Sequence, residues 1–62
     1  MNIKKLKGLM AENNERLKDI SKILNISVVA TSKKLKGKSP FKFEEVKILS
    51  EHYNVDINIF LN

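Results

Sequence analysis

The fold of this chain is decided by residues 20–38, which read ISKILNISVVATSKKLKGK. A sharp turn between two helices needs a residue that tolerates positive φ, a small residue where the helices touch, and an apolar residue inside the corner. Asn25, Ser21 and Ile26 have the properties that these three positions need. We therefore predict one helix before Asn25, a tight turn, and a second helix that begins soon after Ile26.

Apolar residues recur every three or four positions along most of the chain, which is the period of an amphipathic α-helix. A first helix is predicted over residues 3–12 behind an Asn2 cap, and a second over about residues 16–24. Ser27 is a good N-cap for a third helix, and Gly37 is a residue typical of the end of a helix. A fourth helix is predicted over about residues 43–53, after the Pro40 loop.

The last eight residues, VDINIFLN, fit two structures. The alternation of Val55, Ile57 and Ile59 suits a strand. Asp56, placed as a cap before Phe60 and the neighbouring apolar residues, suits a short helix instead.

Length and composition limit what the chain can do. Its 62 residues form one domain at most, over residues 1–62, and a chain of this size buries only about 60% of its unfolded surface. It has no cysteine, so neither a disulfide nor a thiolate metal site can supplement the core, and we expect no metal and no cofactor. No apolar run approaches the roughly 20 residues that span a bilayer, and the N-terminus lacks a secretory signal. We expect a soluble, intracellular protein.

The charge is unevenly distributed. Residues 1–38 hold ten Lys or Arg against three acidic residues, a net of +7, whereas residues 39–62 hold two against four, a net of −2. Such a basic half favours binding of a polyanion on one surface. An ordinary solvated, lysine-rich surface is the alternative that the charge alone leaves open.

The sequence contains no arrangement that is typical of catalysis. His52 is the only histidine and has no second ligand of its kind, so we expect it on the solvent side of the fourth helix. Glu44 and Glu45 are adjacent, so they lie on different faces of a helix and serve better as N-terminal charges than as an acid/base pair. We expect that the protein is not an enzyme.

Roughly residues 15–61 resemble the Cro/C1-type (lambda-repressor-like) helix-turn-helix domains, most closely those of short Gram-positive phage repressors, and the first helix fits by position only. The resemblance rests on the turn described above, on KLKGKSPF at residues 34–41 and on FEEVKIL at residues 43–49. It implies an all-α, compact bundle of about five short helices, with a helical C-terminal tail. It also implies a transcriptional repressor in the bacterial cytoplasm that binds double-stranded operator DNA through its third helix, usually as a homodimer.

The resemblance implies base contacts at four positions of the third helix, which are Val28, Val29, Ser32 and Lys33. The valines would pack on thymine methyl groups, and Lys33 could donate to guanine. Contacts to phosphate are predicted for Ser27, Lys34, Lys36, Lys38 and Lys42. The alternative for the valines is that one of them turns inward against the second helix.

Two further interpretations concern partners. With so small a core, Ile57, Phe60 and Leu61 are candidates for a self-complementary dimer patch. A rival function is a helix-turn-helix module that binds another regulator rather than DNA, as an antirepressor would. A basic amphipathic peptide at a membrane surface is a second rival, although the turn residues argue against it.

Overall fold

The computed structural model describes all 62 residues and contains five α-helices and no strand. The helices are α1 (Ile3–Glu12), α2 (Leu17–Leu24), α3 (Val28–Leu35), α4 (Phe43–Tyr53) and α5 (Asn58–Leu61). This confirms the predicted all-α class and the predicted number of helices. None of the helices is long and apolar enough to cross a membrane.

The predicted caps are present at the starts of α1 and α3. The Asn2 side chain accepts a hydrogen bond from the backbone amide of Lys5 at 3.1 Å, and Ser27 Oγ accepts one from the amide of Ala30 at 3.0 Å. Each cap satisfies one of the amides that a helix start leaves without a partner. At the other end of α3, Gly37 adopts φ 78°, so it is the left-handed residue that was predicted there.

The turn between α2 and α3 has the predicted construction. Asn25 lies in the left-handed region, with φ 56° and ψ 45°. Ser21 is buried and its carbonyl accepts a hydrogen bond from the amide of Ile26 at 3.0 Å, and Ile26 is half-buried and packs against the core. Asparagine is one of the few residues with a Cβ that enter this region at low cost. The corner is therefore fixed by local chemistry.

The C-terminal tail is a helix and not a strand. Asp56 Oδ1 accepts a hydrogen bond from the amide of Asn58 at 2.9 Å, which starts the short helix α5. Phe60 is fully buried, and its carbonyl accepts a bond from the amide of Asn2. The prediction that Phe60 belongs to a dimer patch is therefore wrong, because this small bundle needs the aromatic side chain for its own core.

The core is a single cluster to which every helix contributes. Its eight members are Leu6, Met10, Ile20, Leu24, Leu35, Val46, Leu49 and Phe60. Both ends of the chain meet in it, since α1 packs on α5. The outer sides of α3 and α4 are left free of this packing and carry the surfaces described below.

Candidate nucleic-acid interface

An open groove of about 410 Å³ runs along the outer side of α3. Its lining residues are Leu17, Val28, Val29, Ser32, Lys33, Lys36 and Lys38. The four residues for which base contacts were predicted all lie in this groove, together with two of the lysines for which phosphate contacts were predicted. We call the apolar lining residues Leu17, Val28 and Val29 the floor of this groove, and the lysines Lys36 and Lys38 its basic rim.

Both valines face the solvent. Val28 is 46% exposed and Val29 is 66% exposed, so neither turns inward against α2. The inward side of α3 is taken by Thr31 and Leu35, which are one helical turn apart and both buried. The Thr31 hydroxyl donates to the carbonyl of Ser27 at 2.9 Å, so its polar group is satisfied inside the bundle. Val29 lies on the opposite side of α3 from this pair, whereas Val28, in the first turn, lies nearer to the inward side and is less exposed than Val29.

Lys34 does not belong to the exposed basic rim. It is only 8% exposed, its Nζ donates to Glu45 Oε1, and it lies 6.0 Å from the centre of the Phe41 ring. The prediction that Lys34 contacts a phosphate is therefore wrong. The physical reason is its position three residues after Thr31, which places it on the inward face of α3.

Glu45 is the partner that makes this burial possible. It is 6% exposed and also accepts a hydrogen bond from the backbone amide of Lys42 at 2.8 Å. Burial raises the pKa of its carboxyl, but the hydrogen bonds from Lys34 and Lys42 and the charges of both lysines outweigh burial, and the net pKa is lowered. The ionised pair joins the end of α3 to the start of α4.

Sequence reasoning placed Glu45 in the first turn of α4, where it is, but missed its contact with Lys34. The signal that could have indicated the contact is the spacing of Lys34 from Thr31, because a charge on an inward helical face needs a partner. Glu44, in contrast, is exposed, as a solvated N-terminal charge is expected to be.

The remaining predicted phosphate contacts are accessible. Lys36, Lys38 and Lys42 are exposed, and Lys42 precedes α4 outside the lining of the groove. Ser27 is exposed too; its oxygen accepts the capping bond, so its hydroxyl hydrogen stays available to a phosphate. The amide of Lys38 donates to the carbonyl of Lys33 at 2.9 Å, which holds the end of the basic rim against α3.

A polar cluster away from the groove was not predicted. Glu15 accepts a hydrogen bond from the Tyr53 hydroxyl at 2.5 Å, and its other oxygen lies 2.6 Å from His52 Nε2. Burial raises the pKa of Tyr53, and the hydrogen bond to Glu15 and the charge of Glu15 raise it further. His52 is on the solvent side, as predicted, but it is not free. The cluster ties the loop before α2 to the end of α4.

The other two residues of the predicted dimer patch remain on the surface. Leu61 is 52% exposed, and Ile57 is half-buried at the end of a second groove beside α4. That groove shares no residue with the groove on α3. The two residues therefore stay candidates for association, without Phe60.

Comparison with known proteins gave one family. Neither the curated proteins nor the solved structures contain a significant match. The family described as the BetR domain matches residues 3–62, which include all five helices and both grooves. The chain belongs to the BetR domain family.

Proposed function

We propose that the protein is a sequence-specific DNA-binding transcriptional regulator, of the Cro/C1 helix-turn-helix kind, that places α3 in the major groove of operator DNA. The observation that carries the proposal is the α3 groove, where two exposed valines at the start of α3 and the lysines in and just after its last turn line the same groove. An α-helix fits the major groove of B-DNA, and phosphates flank that groove on both sides.

The floor of the groove supports readout of base identity. Val28 and Val29 together expose enough methyl surface at the start of α3 to pack on thymine methyl groups. Ser32 and Lys33 lie one helical turn further on in the same groove, and Lys33 can donate to guanine O6 or N7. We infer that these four side chains contact bases.

The rim supports binding that is independent of sequence. Lys36 and Lys38 line the groove and carry no partner within the chain, and exposed Lys42 and Ser27 lie outside its lining. Lysines that neutralise phosphates release counterions from DNA, so they add affinity for every sequence alike. Lys34 is left out of this set because its charge is satisfied by Glu45.

Selection of bound sequences from a random pool of duplex DNA tests the proposal. We expect enrichment of one short motif, present as two half-sites if the protein binds as a homodimer. No cofactor is needed for this binding and no chemical reaction is part of it. We place the protein in the bacterial cytoplasm, where operator DNA is found.

A pair of charge-matched variants gives the control. Lys36→Gln with Lys38→Gln should reduce the slope of log K against log salt by roughly 1.8, which is about 0.9 for each phosphate contact. Lys4→Gln with Lys5→Gln removes the same charge from exposed positions of α1 outside the groove, and it should change the slope by less. Equal slopes for both variants, with no enriched motif, would contradict the proposal.

The exposed valines also suit a protein partner, because an apolar floor inside a charged rim is common at protein interfaces. The second candidate function is therefore an antirepressor-like module that binds another regulator through the same groove. This function would be favoured if the wild type enriches no DNA motif but binds another regulator, and if Val29→Ala loses that binding.

A further inference from the structure

A second groove lies beside α4, on a surface that the proposed DNA contacts do not use. It is lined by Phe43, Lys47, Ser50, Glu51 and Ile57. Phe43 is 65% exposed, which makes it the most exposed aromatic side chain of a protein with very few aromatics. Together with Ile57, this ring gives the open groove an apolar surface that a partner can cover.

The charges of this α4 groove indicate what covers it. Lys47 and Glu51 are one helical turn apart, and neither forms an ion pair within the chain. In the α3 groove, in contrast, all the charged residues are lysines. A surface with one charge of each sign can pair with a copy of itself, because a two-fold axis brings each charge opposite its counterpart.

We propose that the α4 groove binds a second copy of this chain, with the two α4 helices antiparallel about a two-fold axis. When Lys47 of one copy faces Glu51 of the other, the same register places each Phe43 beside the end of the other α4, near Ile57. Ser50 lies close to the axis, where a small side chain lets the two helices approach. In this arrangement the partner covers the Phe43 ring, and Lys47 and Glu51 are both paired.

The inference extends the proposed function, since two copies related by this axis present two α3 grooves to two half-sites. It also revises the predicted dimer patch, because it keeps Ile57 and replaces the C-terminal residues by the face of α4. The association is measured without DNA, so its failure would leave the DNA-binding proposal untouched. Failure of DNA binding would likewise leave the association untouched.

Charge reversal tests the proposed register. Sedimentation of the wild-type chain over a range of concentrations should give a reversible dimer. Lys47→Glu or Glu51→Lys alone turns both ion pairs of the dimer into repulsions and should weaken it by roughly tenfold. The double variant, with both residues exchanged, should recover the wild-type dimer. A mixture of the two single variants should form a one-to-one heterodimer, because each then carries only the charges that the other lacks.

Two alanine variants complete the test, and thermal melting of each checks that the bundle stays folded. Phe43→Ala should abolish the dimer without lowering the melting temperature, because the ring is mostly exposed. Leu61→Ala is the matched control, since Leu61 is also exposed and apolar but lies outside the α4 groove. The proposal is overturned by a wild-type chain that stays monomeric throughout, by a mixture of single variants that fails to associate, or by a loss of the dimer in Leu61→Ala alone.

Discussion

Replacing Lys34 by methionine removes the ammonium group that donates to Glu45 and keeps the length of the side chain. Both partners are less than a tenth exposed, so the loss leaves a buried carboxylate with one partner fewer. Glu45 retains the amide of Lys42 at 2.8 Å, which keeps the cost near the lower end of the range for an unsatisfied buried group, about 1 to 2 kcal/mol. For a domain of this size, that cost lowers the melting temperature by about 4 to 16 °C.

Lys36→Met is the matched control, because Lys36 is exposed, makes no ion pair and lies two residues further along the chain. It should change stability by less than about 0.5 kcal/mol. In DNA binding we expect the opposite order of effects for the two variants. Lys36→Met should reduce the salt slope by roughly 0.9, whereas Lys34→Met should leave it unchanged once the protein is folded.

Thermal melting followed by circular dichroism, together with binding to duplex DNA over a salt series, measures both quantities. Equal melting temperatures for Lys34→Met and the wild type would mean that the Lys34–Glu45 pair contributes nothing to the stability of the fold. A reduced salt slope for Lys34→Met, measured at a temperature where this variant is folded, would show that Lys34 does contact a phosphate.

Three further predictions concern the rest of the bundle. At φ 56°, Asn25→Gly should be neutral or slightly stabilising, while Asn25→Val should cost upward of about 1 kcal/mol; equal melting temperatures for these two variants would remove Asn25 from its turn role. The pKa of Glu45 is lower in the folded protein than its ordinary value of 4.5, so its carboxylate stabilises the fold fully at pH values above 4.5. This stabilisation is lost as the pH falls through the pKa of the folded protein. Acid should therefore destabilise the wild type more than Glu45→Gln, and parallel acid melting curves would disprove this. Glu15→Gln should lower the pKa of Tyr53 part of the way toward 10.0, since burial remains; an ultraviolet titration of the phenol that matches the wild type would show that Glu15 has no such effect.

Local chemistry made most of the fold predictable. Asn2 and Ser27 as caps, Asn25 in the left-handed region and Gly37 after α3 each follow from the properties of one residue and its immediate neighbours. Such signals act within a few residues, so the sequence carries them directly. The exposed start of α3 was implied only by the family resemblance, and the structure decides between an outward and an inward valine.

Contacts between distant segments were not predictable in the same way. Lys34 and Glu45 are 11 residues apart, and Glu15 and Tyr53 are 38 apart, so no periodic pattern connects them. Phe60 was a candidate for association because so short a chain has little core of its own. Once the tail is a helix that docks under α1, its aromatic ring belongs to the core, and only the packing of the whole bundle determines that.

We infer that the outer side of α3 reads the sequence of DNA. The most direct measurement is the ratio of affinities for the selected motif and for a scrambled duplex, in the wild type, Val28→Ala and Val29→Ala at one salt concentration. Each variant should melt close to the wild type and bind scrambled DNA as the wild type does. In each variant the ratio of affinities should fall roughly fivefold, which corresponds to about 1 kcal/mol for an apolar base contact. A valine variant that melts well below the wild type and keeps the full ratio would contradict the claim, because the valines would then serve the fold and not the reading of bases.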